Sequence, residues 1–325
     1  MMKAGILGTG YYVPEKIVTN ADMEKIVDTT DEWIRTRTGI TERRFAAADE
    51  FVSGMGAKAA EMAIKNAGIT KEEIDLIITA TITSDYSWPS AAVLIQDKLG
   101  LNGIPAFDIS AACTGFVYAL AISRDMILGG SYKKILVIAA EKLSSITDMK
   151  DRNTCVLLGD GAGAAVVGAS LEEGILSAVL HADGSKVKML YQPAGGSAMP
   201  ATAETVKEGL HYLKMDGREV YKQAIEKMPM VLEEAMKKAG VESKDIDFVI
   251  FHQANIRIIS SIAEKFGWPD EKNIINIQRY GNTSAATIPI ALAEAIENGR
   301  IKKGDTVALS AFGAGLTWGG AVIKI

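Results

Sequence analysis

Cysteine and histidine are scarce in this 325-residue chain, which has two cysteines, Cys113 and Cys155, and three histidines, His181, His211 and His252. Two cysteines cannot build a disulfide framework, and their small number favours a reducing compartment, so we expect a cytoplasmic protein. No histidines or cysteines have the spacing of a zinc site, so we expect no bound metal.

A basic charge and an uninterrupted membrane-spanning segment are also lacking. The formal net charge of -5 gives no overall positive field for nucleic acid, and the N-terminus has no long apolar segment typical of a signal peptide. The stretch from Thr306 to Ile323 is uncharged and about long enough for a span. Because it contains Gly313, Gly315, Gly319 and Gly320, it instead predicts two buried strands around a glycine loop. We therefore expect no membrane insertion.

The sequence does contain an internal repeat. The segment AGITKEEIDLIITAT begins at Ala67 and resembles AGVESKDIDFVIFHQ, which begins at Ala239, 172 residues later. The same offset relates residues 119–120 to residues 291–292, which are Ala-Leu in both places. A constant offset over separated segments predicts two similar halves, residues 1–168 and residues 169–325.

Each half alternates strand and helix patterns. The predicted helices are 53–67, 114–128, 219–239 and 284–297, and the predicted strands are 75–81, 106–109, 134–140, 247–251 and 306–311. Pro229 should kink the third helix or mark a boundary within it. Continuous apolar strands between helices indicate an α/β fold with sheets covered on both faces, arranged as two halves about a pseudo-twofold axis. Functional groups in such folds gather at the carboxyl ends of the strands.

Cys113 lies between a predicted strand that ends near Ile109 and a predicted helix. Backbone N–H groups and the helix dipole stabilise a thiolate at such a position, which can lower the thiol pKa from its usual value of about 8.5. The small neighbours Ala111, Ala112 and Gly115 allow a substrate to approach closely. A buried structural cysteine is the alternative.

His252 and Asn282 lie at corresponding places in the second half. His252 directly follows the predicted strand 247–251, and Asn282 precedes a predicted helix. The repeat offset relates Cys113 to Ala285, three residues after Asn282. A core histidine and a turn or helix-capping asparagine are the alternatives.

A cysteine, a histidine and an asparagine at matched strand ends suit acyl transfer. A thiolate attacks a thioester carbonyl and holds the acyl group covalently, while N–H groups of Cys113 and of the loop at residues 312–315 could stabilise the oxyanion. Neutral His252 and the Asn282 amide suit a second, enolate-like oxyanion. This set predicts carbon–carbon bond formation rather than simple hydrolysis.

Eight stretches, in order, give a resemblance over nearly the whole chain: DTTDEWIRTRTGI, AFDISAACTGF, DRNT, GDGAGAA, HADGS, HQANIRII, RYGNTSAATIP and AFGAGLTWGG. The sequence resembles the β-ketoacyl-acyl-carrier-protein synthase III family of the thiolase-like superfamily. The resemblance implies a duplicated αβαβα five-layer fold and a homodimer, with no tightly bound cofactor. It implies that acyl-coenzyme A acylates Cys113 and that malonyl-acyl carrier protein then decarboxylates and condenses, initiating type II fatty acid biosynthesis. His252 and Asn282 would promote decarboxylation and hold the enolate oxygen.

The resemblance also implies a set of binding residues. They are Trp33, Arg37, Arg152 and Asn255 for coenzyme A, Trp88, Gly217, Phe312 and Ala314 for the acyl pocket and oxyanion, and Lys222 and Arg257 for the carrier protein. Trp33 and Arg152 resemble a pair that sandwiches the adenine, and Arg37 resembles a phosphate contact. A capping box at Thr29 and Glu32 predicts the helix that places Trp33 and Arg37 on one face.

Trp88 departs from the better-known members of this family. It occupies the acyl-pocket position, where the resemblance leads us to expect phenylalanine or a smaller residue that reaches across the dimer. The bulkier ring predicts a short pocket and a short starter such as acetyl. The loop at residues 312–315 also has Ala314 where some relatives have a third glycine.

Two other kinds of enzyme in the same superfamily need residues that this sequence lacks. A thiolase needs a second catalytic cysteine in the C-terminal half, and none follows Cys155. A hydroxymethylglutaryl-coenzyme A synthase needs a glutamate base, and the stretch TITSDYS offers only Asp85. A specialised acyltransferase of the same fold and a non-catalytic acyl-coenzyme A-binding protein stay open. The Gly/Pro/Ala-rich stretch 192–208 is expected to form a mobile loop over the site.

Overall fold

Two mixed β-sheets form the centre of the computed structural model, which describes residues 3–170 and 174–325. The strands are β1 Lys3–Tyr12, β2 Ile17–Thr19, β3 Glu42–Arg44, β4 Leu76–Ala80, β5 Ala106–Ile109, β6 Lys134–Lys142, β7 Asp160–Ser170, β8 Ile175–Ala182, β9 Leu190–Tyr191, β10 Lys214–Met215, β11 Phe248–Phe251, β12 Thr306–Gly313 and β13 Thr317–Lys324. The α-helices are α1 Asn20–Glu24, α2 Asp31–Thr38, α3 Val52–Asn66, α4 Ala91–Leu99, α5 Gly115–Leu128, α6 Arg152–Cys155, α7 Ala203–Lys207, α8 Gly217–Ala239, α9 Ile256–Phe266, α10 Ile277–Tyr280 and α11 Thr287–Glu297.

Four strands of the first large sheet and the four strands of the second have the same topology. The first has the order β1-β7-β6-β4-β5 and the second the order β8-β13-β12-β11. In each sheet the first three strands are antiparallel neighbours, and the next strand runs parallel to the third. Equivalent strands start 172 residues apart: Lys3 and Ile175, Leu76 and Phe248, Lys134 and Thr306. The repeat in the sequence is therefore also a repeat of the fold, while the division at residues 168 and 169 stays a prediction.

A repeated aspartate shows why the offset is visible in the sequence. The Asp75 carboxylate accepts a hydrogen bond of 3.1 Å from the Lys134 N–H at the start of β6. The Asp247 carboxylate accepts one of 2.8 Å from the Thr306 N–H at the start of β12. Each aspartate thus precedes one strand and binds the first N–H of the parallel neighbouring strand. The two halves therefore have the same residue at this place.

Two helices are enclosed between the sheets. Phe116 and Leu120 of α5, together with Ile288 and Leu292 of α11, form one buried cluster with side chains of both sheets. Helices α3 and α4 cover the outer face of the first sheet, and α8 and α9 cover that of the second. The order helix, sheet, helix, sheet, helix is the predicted five-layer α/β architecture.

The predictions of individual elements are largely confirmed. The stretch from Thr306 to Ile323 forms β12 and β13, joined by the short loop at residues 314–316. The expected boundary at Pro229 is wrong, because α8 continues through this residue, and the kink stays a prediction. Proline inside a helix costs about 3 kcal/mol, and here the apolar face of α8, including Met228 and Leu232, is buried against the second sheet. In residues 3–170 and 174–325, no helix is long and apolar enough to cross a membrane.

Candidate active site

Cys113 lies on a 3₁₀ turn, Ala112–Thr114, between the carboxyl end of β5 and the start of α5. The backbone of Ala112 is left-handed there, with φ of 44°. Strand β12 of the other half passes directly against this turn, so that a Cβ atom on Gly313 would lie 2.8 Å from the Cys113 backbone nitrogen. Only glycine permits that approach.

The three predicted catalytic residues line one cavity. It has a volume of about 110 Å³, and Cys113, His252 and Asn282 are all in its wall. Gly217 and Phe312 line the same cavity. A smaller apolar cavity of about 50 Å³ is bounded by Cys113 and Asn282 and also by Ala314. The halves therefore bring these residues together, as the repeat and the resemblance predict.

His252 is a buried, neutral imidazole. It follows β11, and its backbone N–H donates to the Ser310 carbonyl at 2.8 Å. Burial lowers the pKa of the imidazole from 6.5 to about 3. The ring Nδ1 lies 2.7 Å from the Thr287 hydroxyl, whose single proton goes either to Nδ1 or to the Ser284 carbonyl at 3.0 Å. When the hydroxyl proton goes to Nδ1, the other ring nitrogen carries the hydrogen and is a donor.

Asn282 is held by backbone pairing with the first half. Its N–H donates to the Leu157 carbonyl at 2.8 Å, and its carbonyl accepts from the Gly159 N–H at 2.9 Å. The side-chain Oδ1 accepts from the Ser284 N–H at 2.8 Å. With its oxygen engaged in this way, the Asn282 side chain offers its NH₂ group as the donor.

The Cys113 thiol differs from the expectation of a lowered pKa. The residue is partly exposed, but burial of the sulfur raises the thiol pKa from 9.0 to about 12. A hydrogen bond from the Ser284 hydroxyl lowers this pKa, and the nearby Glu141 carboxylate raises it. The expectation was wrong because desolvation of the thiolate outweighs the local helix dipole.

A wide polar groove of about 920 Å³ lies outside the catalytic cavity. The basic residues along it are Arg37, Lys188, Lys214, Arg218 and Arg257. The groove and the cavity share Met215, Gly217 and Asn255 in their walls, so they are adjoining parts of one path. Asn255 also caps α9, accepting from the Arg257 N–H at 2.9 Å.

Two arginine side chains lie near the ring of Trp33. The Arg152 guanidinium is 4.9 Å from the centroid of the indole ring, and the Arg37 guanidinium is 5.8 Å from it. A base between Trp33 and Arg152 would therefore require Arg152 to move off the ring. The predicted capping box at Thr29 and Glu32 is wrong, because Thr30 caps α2 by accepting from the Trp33 N–H at 3.1 Å.

Other predicted residues lie farther from the sulfur. Trp88 is 84% exposed and is not in the wall of either cavity that contains Cys113. Lys222 is exposed on α8, one residue after Tyr221, whose ring has the Arg257 guanidinium 5.7 Å away. Both assignments stay predictions that involve a second chain.

Two carboxylates near the site have different surroundings. Asp85 accepts from the N–H and hydroxyl of Ser53 at 2.9 and 2.5 Å, which occupies it at the start of α3. Glu141 was missed by the sequence analysis. It is the next-to-last residue of β6 and is fully buried. Its carboxylate accepts a hydrogen bond from the Ser284 hydroxyl at 3.2 Å. The only signal in the sequence is an acidic residue ending the apolar run ILVIAA.

The comparisons with known proteins identify the family. The family model of 3-oxoacyl-[acyl-carrier-protein] synthase III matches residues 107–184, and the model of its C-terminal part matches residues 236–325. A β-ketoacyl-[acyl-carrier-protein] synthase III of Fusobacterium nucleatum is 51% identical, over 100% of this chain and 99% of the relative. The chain belongs to the β-ketoacyl-acyl-carrier-protein synthase III family.

Solved structures of this family and its relatives share the fold. The crystal structure of 3-oxoacyl-[acyl-carrier-protein] synthase III from Aquifex aeolicus is 48% identical with a TM-score of 0.92, and the alignment covers 99% of this chain and 100% of that one. The priming β-ketosynthase of the R1128 polyketide pathway is 34% identical with a TM-score of 0.93, covering 99% of this chain and 96% of that one. The fold is therefore thiolase-like.

Proposed function

We propose that this chain is a β-ketoacyl-acyl-carrier-protein synthase III, an acyltransferase that condenses a short acyl-coenzyme A, preferentially acetyl-coenzyme A, with malonyl-acyl carrier protein. The observation that carries the proposal is the convergence of Cys113, His252 and Asn282 on one cavity that adjoins a basic groove. A protein that only bound acyl-coenzyme A would not need these three groups together. The product starts type II fatty acid biosynthesis.

In the first step the Cys113 sulfur attacks the carbonyl carbon of the acyl-coenzyme A. The new carbon–sulfur bond forms, the bond to coenzyme A breaks, and coenzyme A leaves as a thiol with the proton that Cys113 gives up. The groove supports this assignment, because Arg37, Lys214 and Arg218 suit the phosphates and Trp33 suits the base. The backbone N–H groups at Cys113 and Ala314 would stabilise the oxyanion.

In the second step malonyl-acyl carrier protein enters the emptied path. Its carboxylate leaves as carbon dioxide, and the electron pair of the broken carbon–carbon bond forms an enolate. The enolate carbon bonds to the acyl carbon on Cys113, the carbon–sulfur bond breaks, and the released Cys113 thiolate takes up a proton from solvent. Neutral His252 and the NH₂ group of Asn282 would hold the enolate oxygen. A buried imidazole with a pKa of about 3 suits a neutral donor rather than an imidazolium.

Lys222 and Arg257 are proposed to meet the acidic carrier protein near the mouth of the groove. Both are exposed, and Arg257 lines the groove. Trp88 is proposed to close the acyl pocket of a second copy in a cytoplasmic homodimer. Its 84% exposure is what a side chain that inserts into a partner would show in one chain alone.

A panel of acyl-coenzyme A starters with malonyl-acyl carrier protein tests the proposal. Wild type should convert acetyl-coenzyme A fastest and should carry a covalent acetyl group on Cys113 by intact mass. Cys113→Ser should lose the condensation. Absence of any acetyl adduct would favour a binding protein, and equal rates with longer or branched starters would reject the role given to Trp88.

A specialised priming condensing enzyme is the second candidate, favoured by the likeness to the R1128 priming β-ketosynthase. The same panel separates the two. A specialised enzyme should prefer a starter longer than acetyl, whereas the proposed enzyme should prefer acetyl. Identity of 34% to that ketosynthase, against 48% to the Aquifex synthase III, favours the first function.

A further inference from the structure

The carboxyl group of Glu141 is buried behind the active-site cysteine and has no part in the reaction described above. It is completely inaccessible to solvent in β6, on the side where the turn Ser284–Ala286 packs. A buried charge of this kind is costly unless it is hydrogen-bonded, and its retention near a nucleophile calls for an explanation.

Glu141 collects donors from two parts of the chain. The hydroxyls of Thr81 and Thr83 and the N–H of Ile82 donate to it from the loop after β4. The Ser284 hydroxyl donates from the second half at 3.2 Å. These bonds favour the carboxylate, whereas burial raises the pKa of Glu141 from 4.5 to about 7, so the group can change its protonation near neutral pH.

The Ser284 side chain also acts on the Cys113 thiol. It lowers the thiol pKa, the turns Ala112–Thr114 and Ser284–Ala286 pack against each other, and Ser284 and Cys113 lie in the wall of the same small cavity. One hydroxyl therefore joins a thiol that is hard to ionise to a carboxylate that can accept a proton. His252 cannot take this part as easily, because burial keeps its pKa at about 3.

We propose that Glu141 accepts the proton of the Cys113 thiol through the Ser284 hydroxyl, which makes Glu141 a positioning residue for cysteine acylation. The S–H bond breaks and its proton moves to Ser284 Oγ, while the hydroxyl proton of Ser284 moves to the Glu141 carboxylate. The products are a thiolate, an unchanged serine and a neutral carboxylic acid. When the coenzyme A thiolate leaves, the Ser284 hydroxyl gives it a proton and takes one from the neutral Glu141, so that coenzyme A departs as a thiol and Glu141 is again a carboxylate.

The energetics favour this transfer over separate ionisation. The buried site carries one negative charge before and after the step, so no second charge is desolvated. Once Glu141 is neutral it also ceases to repel the thiolate, since its charge is one cause of the raised thiol pKa. The proposal rests on the proposed function only in taking Cys113 as the nucleophile.

The other titratable groups around Glu141 have hydrogen-bond partners of their own. Asp85 accepts from Ser53 on α3, and Lys142, next in β6, donates to the carbonyls of Ala47 and Glu50. On the neighbouring strand β7, Asp160 accepts from Ser144 and Ala46. His252 shares the cavity with Cys113.

The rate at which iodoacetamide alkylates Cys113, measured from pH 5.5 to 9 in the full-length protein, tests the relay. Peptide mass mapping distinguishes Cys113 from the buried Cys155. Wild type should show a rise with a midpoint near pH 7, the pKa of Glu141. Above this midpoint the wild-type rate should level off. Glu141→Gln should lack the midpoint, because its thiol ionises only through its own raised pKa and its rate therefore climbs steadily with pH, and it should be slower by at least about tenfold at pH 8. Ser284→Ala, which keeps the carboxylate and removes the bridge, should behave in the same way.

Asp160→Asn is the matched control, because Asp160 is also a fully buried carboxylate with a raised pKa but lies away from the sulfur contacts. It should keep the wild-type midpoint. If Glu141 acted only by its charge, Glu141→Gln would alkylate faster than wild type at pH 8, and that result or an unchanged rate would overturn the relay. A slower variant that keeps the midpoint would also overturn it. Alkylation needs neither coenzyme A nor carrier protein, so failure of the proposed function would appear separately, as no acetyl adduct in wild type.

Discussion

The turns Ala112–Thr114 and Ser284–Ala286 have the same backbone and opposite chemistry. They are 172 residues apart, and each leads into a central helix, α5 or α11. Each begins with a left-handed residue, with φ of 44° at Ala112 and 50° at Ser284. The first turn carries Cys113, whereas the equivalent position in the second is Ala285, which is 1% exposed.

Each of these turns is contacted by a strand end that belongs to the other half. Glu141 in β6 of the first half contacts Ser284 of the second, and Gly313 in β12 of the second half contacts Cys113 of the first. These two strand residues are themselves 172 apart. The two halves are thus equivalent scaffolds, of which one turn carries Cys113, the proposed nucleophile, and the other carries polar groups beside it.

Moving the cysteine to the other turn should cause the largest loss of condensation activity. In the double variant Cys113→Ala with Ala285→Cys, the sulfur would lie in the core that α5 and α11 share rather than in the cavity wall. We expect condensation to fall by about 10³-fold or more, with no acetyl adduct at residue 285 by intact mass. Cys113→Ala alone is the control and should be equally inactive. An acetyl group on residue 285 would show that the two turns are interchangeable.

Asn282→Ala should separate the two steps. The second-half donor would be lost while the cysteine turn remains, so we expect decarboxylative condensation to fall by about 10²- to 10³-fold. Acetylation of Cys113 by acetyl-coenzyme A should stay within severalfold of wild type. Pre-steady-state measurement of acetyl-enzyme, followed by product formation, checks both. Equal loss in both steps would assign Asn282 a structural role, through its pairing with Leu157 and Gly159.

The sequence could predict the duplication because the residues that repeat, such as Asp75 and Asp247, serve the same local hydrogen bonds in both halves. It could also predict Cys113, His252 and Asn282, because each lies directly at the end of a strand or the start of a helical segment. Such positions depend on residues close in the chain, which a sequence displays.

The thiol pKa and the role of Glu141 could not be predicted in this way. Both depend on contacts between the halves, across 143 residues in the case of Glu141 and Ser284. Desolvation is set by everything packed around a group, and the sequence near Cys113 suggests only the helix dipole. The capping residue of α2 was displaced for a simpler reason, since Thr29 and Thr30 are chemically equivalent and only the backbone selects one.

His252→Asn should show how a buried neutral imidazole changes the pH dependence of the unfolding free energy. The folded pKa of about 3 lies below the unfolded value of 6.5, so the unfolded chain binds more protons between these values. Wild type should therefore lose unfolding free energy as pH falls from 6.5 towards 3, by up to about 1.4 kcal/mol per pH unit from this residue. The variant should lack that contribution. Urea unfolding at several pH values measures it, with His181→Asn, which changes a half-exposed histidine paired with Glu234, as the control. Parallel curves for His252→Asn and wild type would contradict a buried neutral imidazole.

Glycine at the first residue of each turn should give the smallest effect and compare the turns directly. Relief of a left-handed alanine, about 1–2 kcal/mol, exceeds the unfolded-state penalty of glycine, about 0.4–1 kcal/mol, so Ala112→Gly should stabilise by about 0.5 kcal/mol. Ser284→Gly gains the same relief at φ of 50° but loses the hydrogen bond to the buried Glu141. It should therefore be less stable than Ala112→Gly by about 1 kcal/mol or more. Equal urea midpoints for the two variants would mean that Ser284 contributes nothing to holding the carboxylate, and the two turns would then differ only in where the sulfur lies.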